Sequence, residues 1–139
     1  MDRATFLEFA RRNPVFFLAT RDGEQPRVRT MMLFEATEEN GIVFCTGASK
    51  DVGRQLRENP DVELCFYDRR DSRQVRMAGQ VEAMDDVETK DRVLEKFTFL
   101  RGQVEAEGYE ALAVYRVPHG NITVWEMETA FEPKTISPV

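Results

Sequence analysis

The sequence predicts a mainly β (α+β) fold over residues 1–139, an antiparallel barrel with helices packed outside it. Three observations carry this. Between Arg73 and Met84, Val75, Met77, Gly79, Val81 and Ala83 alternate with Gln74, Arg76, Ala78, Gln80 and Glu82, the period-two pattern of a long half-buried strand. Tight-turn signals at Asp22-Gly23, Asn40-Gly41 and Pro118-His119-Gly120 separate short β-rich runs. Strands come in runs interrupted by short helices, which is not the strict alternation of a parallel sheet. At 139 residues the chain has the size of one domain, and no repeat or low-complexity segment divides it.

Residues 3 to about 12 place Phe6, Leu7, Phe9 and Ala10 on one helical face, and Pro14 stops that helix. Val15 to Thr20 reads as a strand and Arg27 to Phe34 as its hairpin partner. Ile42 to Thr46 then completes a three-strand meander. Gly47-Ala48-Ser49-Lys50 breaks the strand, with Ser49 as cap of a helix to about Glu58 that turns Val52 and Leu56 inward. After Asn59-Pro60, Val62 to Tyr67 is a strand, followed by the long alternating one, where Gly79 suggests a barrel bend. Asp85-Asp86 opens a helix through about Phe99. Arg101 to Glu110 reads as loop or frayed helix. Ala111–Val117 and Asn121–Met127 form a terminal hairpin, and the last dozen residues a tail.

Nineteen Lys and Arg against twenty-five Asp and Glu give a net charge of −6, which disfavours nucleic acid and anionic membrane surface as partners. The longest apolar runs, Val15 to Ala19 and Met31 to Phe34, fall far short of the ~20 residues of a membrane helix. Residues 1–6 carry no apolar segment of a secretory leader, so a cytoplasmic protein is expected. Cys45 and Cys65 stand in apolar runs without a ligand-spaced Cys or His, and read as buried reduced thiols with no metal. His119, the single histidine, lies in a turn and reads as an exposed loop residue.

Phosphate-loop, dinucleotide, serine-hydrolase and zinc-protease motifs are all missing, and the carboxylates cluster in solvated helices and turns. Chemistry without side-chain nucleophiles or metal ligands must come from an organic cofactor. Arg27 and Arg29, two apart on a strand, project from one side of it. Thr46-Gly47-Ala48-Ser49-Lys50 offers close backbone approach, a hydroxyl and a cation at a helix N-terminus. If the two segments lie on neighbouring strands, they converge on a phosphate pocket. The alternative is that Ser49 only caps its helix and the arginines pair with Glu24 or Glu35.

Arg29-Thr30-Met31-Met32-Leu33, Gly41 to Thr46 with Ser49-Lys50 following, Asn59-Pro60, and Arg73 to Gly79 resemble, in order and spacing, the motifs of the pyridoxamine 5′-phosphate oxidase-like family. The resemblance runs from about Val15 to Trp125. It implies a six-stranded antiparallel split β-barrel, a homodimer, and FMN bound at the subunit interface. On this resemblance Arg29, Ser49 and Lys50 hold the FMN phosphate, Thr30 and Met31 lie along the ring, and Thr46 faces the ring or ribityl chain. Gln74 hydrogen-bonds the flavin from the dimer-facing side. Trp125 corresponds to an aromatic brought over the cofactor by the partner subunit, or is a core tryptophan.

Two departures bear on activity. The oxidase continues into a C-terminal segment with an arginine-x-histidine substrate motif, whereas Glu128 to Lys134 here carry no histidine, and it has a lysine where Phe34 stands. Both remove cationic partners for a phosphorylated pyridoxine. The expected function is an FMN-dependent oxidoreductase acting on a different small substrate with an unassigned electron donor. A flavin carrier or redox sensor is the other reading.

Overall fold

In a computed structural model, which describes residues 1–139, two antiparallel sheets face each other around one apolar core. Helix α1 (Arg3–Arg12) starts at Asp2, whose side chain accepts from the Thr5 amide at 2.8 Å, and sinks Phe6, Leu7, Phe9 and Ala10 into the core. Strands β1 (Val15–Asp22) and β2 (Gln25–Met32) form the expected hairpin, with Phe16, Leu18 and Thr20 facing inward. A short β3 (Glu35–Thr37) turns at Gly41, whose φ of +68° suits glycine, into β4 (Gly41–Gly47). Helix α2 (Asp51–Glu58) follows, then β5 (Asp61–Asp68), β6 (Arg73–Gln80) and β7 (Glu82–Ala83). Helix α3 (Val87–Lys96) is capped by Asp86 and precedes α4 (Arg101–Glu107). Strands β8 (Leu112–Val117), β9 (Gly120–Trp125) and β10 (Ile136–Pro138) complete the fold.

The six-stranded sheet has the order β10-β9-β6-β5-β1-β2, and the four-stranded sheet β3-β4-β8-β7. The antiparallel split barrel with peripheral helices is therefore the architecture, but the chain changes sheet where the sequence reads continuity. Leu33-Phe34 separates β2 from β3, so the strand expected to run to Phe34 ends at Met32 and β4 is not its neighbour. The meander is replaced by a hairpin and a crossing. The long alternating strand likewise breaks at Val81, whose amide bonds Pro60 O at 2.9 Å, and β7 joins the other sheet.

Gly79 is not the bend. It lies inside β6, where an added Cβ would stand 2.8 Å from His119 O and 2.8 Å from Val117 Cγ1. Glycine there permits close approach of the crossing between β8 and β9. Those two strands pair with different sheets, so Ala111 to Met127 is a crossover and not a hairpin. Arg101 to Glu107 is helical, and residues 136–138 pair with β9 where a tail was expected. Phe34, Val43, Val93, Leu112 and Val114 form a second cluster beneath α3.

Candidate functional site

Arg29 on β2, an edge of the six-stranded sheet, and Thr46 on β4, an inner strand of the four-stranded sheet, flank the seam between the sheets, with Ser49 and Lys50 following β4. On β2, inward-phase Arg29 lies opposite Leu18 of β1. Its guanidinium donates to Thr20 Oγ1 at 2.6 Å, to Gln55 Oε1 at 2.6 Å and to Leu18 O at 3.3 Å. Thr20 in turn donates to Gln55 Oε1 at 2.5 Å. Both neutral partners are buried, at 3% and 2% exposure, while no carboxylate lies within ion-pair reach of Arg29. Burial, and secondly the like charge of Arg27, push the Arg29 guanidinium below its ordinary pKa. It stays charged at neutral pH. A half-buried cation held by neutral acceptors has unspent capacity for an anion.

Gln55 ties this strand to α2, five residues beyond Lys50. Sequence reasoning missed Gln55 and Thr20. Gln55 stands between Val52 and Leu56 on the buried stripe of α2, and Thr20 follows Phe16 and Leu18 in the inward phase of β1. A polar residue in an apolar phase was the available signal.

Thr46 is half-buried on the core-side phase of β4, paired with Ala113. Ser49 and Lys50 are exposed at the start of α2. The expectation that Ser49 caps the helix is corrected: the N-cap is Lys50, and no side chain caps this end. Its first-turn N–H groups are thus free to meet an anion, although Asp51 in that turn offsets part of the charge. Arg27 turns to Asp22 at 3.4 Å and Glu35 is taken by Arg92 at 2.9 Å, so neither arginine pairs with Glu24 or Glu35.

Thr30, Gln74 and Trp125 occupy the outer face of the six-stranded sheet. Gln74 is paired with both Tyr67 and Trp125. Trp125 is half-buried there and lies outside the core cluster, which removes the core-tryptophan alternative. Thr30 is exposed opposite Phe17, whereas Met31 turns inward against the core. Three inter-strand steps separate β6 from β2, roughly 14 Å at ordinary sheet spacing. One chain therefore keeps Gln74 and Trp125 apart from Arg29 and Lys50. The intervening face exposes Val15, Phe17, Val28, Met32 and Tyr67, Val28 by 70%, with the Glu63–Arg76 ion pair beside them. Cys65 also lies in this face, half-buried, so it is not the core thiol expected; Cys45 is half-buried under the α3 cluster, and both are free. His119 is exposed.

A family model described as pyridoxamine 5′-phosphate oxidase matches residues 3–120. The chain belongs to that family. A pyridoxine/pyridoxamine 5′-phosphate oxidase of Gluconobacter oxydans is 43% identical over 70 residues, covering 50% of this chain and 34% of that one. A chloroplastic enzyme of the same name from Arabidopsis thaliana is 34% identical over 73 residues, 52% of this chain and 14% of its own. The match thus spans 34% and 14% of the length of these two curated relatives. Among solved structures, a NimC/NimA family protein of Clostridium acetobutylicum superposes with a TM-score of 0.77 at 25% identity, covering 99% of this chain and 92% of that one. A pyridoxamine 5′-phosphate oxidase-related, FMN binding protein of Nostoc punctiforme gives 0.66 at 16% identity, with 96% and 88% covered, a likeness of fold. No helix of this chain is long and apolar enough to cross a membrane.

Proposed function

We propose that the protein binds FMN and acts as an FMN-dependent oxidoreductase on a small substrate, working as a homodimer. The observation that carries this reading is Arg29, a half-buried guanidinium without a carboxylate, anchored through Gln55 to α2, the helix whose start has no side-chain cap. That donor set fits a terminal phosphate. Arg29 supplies a fixed fork of N–H donors, Lys50 a mobile charge and Ser49 a hydroxyl, while Thr46 borders the same seam. FMN, when bound, supplies hydride or electron transfer at its ring.

The chain's own contribution is binding, orientation and exclusion of water. Thr30 and Met31, whose side chains leave β2 on opposite faces, lie along the ring through their backbone. Gln74 and Trp125 of a second copy reach the same site when the apolar outer faces of the two sheets meet, which also covers Val28 and Phe17. No acid or base among these residues is assigned a proton-transfer role. The substrate differs from a phosphorylated pyridoxine, because Phe34, which stands where the oxidase has a lysine, is buried beneath α3 and offers no cation.

The test is flavin binding followed by turnover. Purified protein should bind FMN with quenched flavin fluorescence, and Arg29→Ala with Lys50→Ala should weaken it by about 3 kcal/mol or more, because charge-assisted hydrogen bonds contribute about 1.5–3 kcal/mol each. Near-normal affinity in the double variant would refute the assignment. Anaerobic reduction by a nicotinamide cofactor, then reoxidation by organic acceptors faster than by oxygen alone, separates an enzyme from a carrier.

A further inference from the structure

On the side of α2 that faces β7 and β8 lies a cavity of about 530 Å³. Leu56, Val81, Leu112 and Ala113 give it apolar walls. Two polar side chains set into these walls are themselves buried, Lys90 at 6% exposure and Tyr115 at 5%. Lys90 reaches in from α3, and its Nζ donates to Tyr109 O at 3.0 Å. That carbonyl is its single protein acceptor, and no carboxylate lies within ion-pair distance. An ammonium carries three donors, and a buried lysine is seldom left without an opposite charge. Arg57, also without a carboxylate, donates to Ala48 O at 3.0 Å and sits beside the Tyr115 phenol. The two acids along the cavity, Asp85 and Glu110, are on exposed residues.

We propose that this cavity binds a small organic acid, with an apolar or aromatic body and a single carboxylate. The carboxylate supplies the counter-charge that Lys90 lacks and accepts from the Tyr115 hydroxyl, while the body lies on Leu56, Val81 and Leu112. Asp85 and Glu110 oppose a doubly charged phosphate, so a monoanion is the better fit. The cavity shares Ala48 with the segment assigned to the flavin phosphate, yet its occupation requires no flavin.

The probes are benzoate and hexanoate, with benzamide as the uncharged control for benzoate, titrated into flavin-loaded and flavin-free protein and followed by heteronuclear NMR. At least one of the two acids should shift Leu56, Lys90, Leu112 and Tyr115 saturably, and benzamide should bind about tenfold or more weakly than benzoate. Lys90→Met should lower acid affinity about tenfold or more with unchanged or raised Tm, because it removes a buried unpaired charge. Tyr115→Phe, which preserves the ring, should weaken binding about threefold or more. Binding should persist in the Arg29→Ala, Lys50→Ala double variant, which separates this site from the flavin site. No saturable shift with either acid, shifts confined to Phe17 and Val28, equal affinity for benzamide, or undiminished binding by Lys90→Met would each overturn the proposal.

Discussion

Replacing Gln55 with leucine cuts the polar link between β2 and α2 while keeping the helix and its buried shape. The Oγ1 of Thr20, a residue 3% exposed, loses the acceptor at 2.5 Å, and a buried hydroxyl left with one fewer partner costs about 1–2 kcal/mol. Arg29 loses the 2.6 Å acceptor as well, but its half-exposed guanidinium recovers water, which holds that loss to about 1 kcal/mol. The apolar leucine returns up to about 1 kcal/mol. The net destabilisation is about 1–2 kcal/mol, read as a lower urea midpoint with unchanged slope. FMN affinity should fall about tenfold in the same variant, since the fork of Arg29 is no longer aimed. A stability change inside about 0.5 kcal/mol together with unaltered FMN binding would show that the Thr20–Gln55–Arg29 network does not organise the seam.

Two further outcomes are expected. Val28→Arg places a charge on the apolar outer face at a residue 70% exposed, so sedimentation should change from dimer to monomer with little change in the stability of the fold; a monomeric parent protein, or an undisturbed dimer, contradicts the interface. Burial pushes the Cys45 thiol from 9.0 up to about 11. The unfolded thiol ionises first, so its share of stability is complete below about pH 9 and is lost as pH rises toward 11, about 2–3 kcal/mol at most. Urea unfolding at the two ends of that window should show a shallower loss in Cys45→Ala than in the parent, and identical slopes would refute the assignment.

Local pattern made the elements legible and left their partners hidden. Alternation over Arg73 to Met84 reports which side chains face inward, and Val75, Met77 and Val81 are buried as that phase requires. It is silent about the sheet change at Val81, because the phase carries through the crossing while the ladder does not. Leu33-Phe34 and Pro118-His119 are crossings of the same kind. At the candidate site, the arginine spacing and the break after Thr46 marked the two segments that the fold brings to one seam. The bond that joins them, Arg29 to Gln55, links residues 26 positions apart and had only the misplaced polarity of Gln55 to announce it. Gln74 and Trp125 were visible as motif residues, but their distance from Arg29 depends on strand order, which no single-strand pattern encodes.

Because β2 and β4 are both unbonded to each other along this side of the barrel, no backbone ladder need break for the gap to widen. Across that gap, α2 acts as a latch fastened to the β1–β2 hairpin by the buried Gln55 amide and the Arg54–Asp22 pair, and seated in the interior by Val52 and Leu56. A small tilt of this eight-residue helix would therefore open the seam without loss of strand pairing. Both ladders stay whole in such an opening, and its cost is set by the Gln55 amide together with the exposed Arg54–Asp22 pair at 3.2 Å.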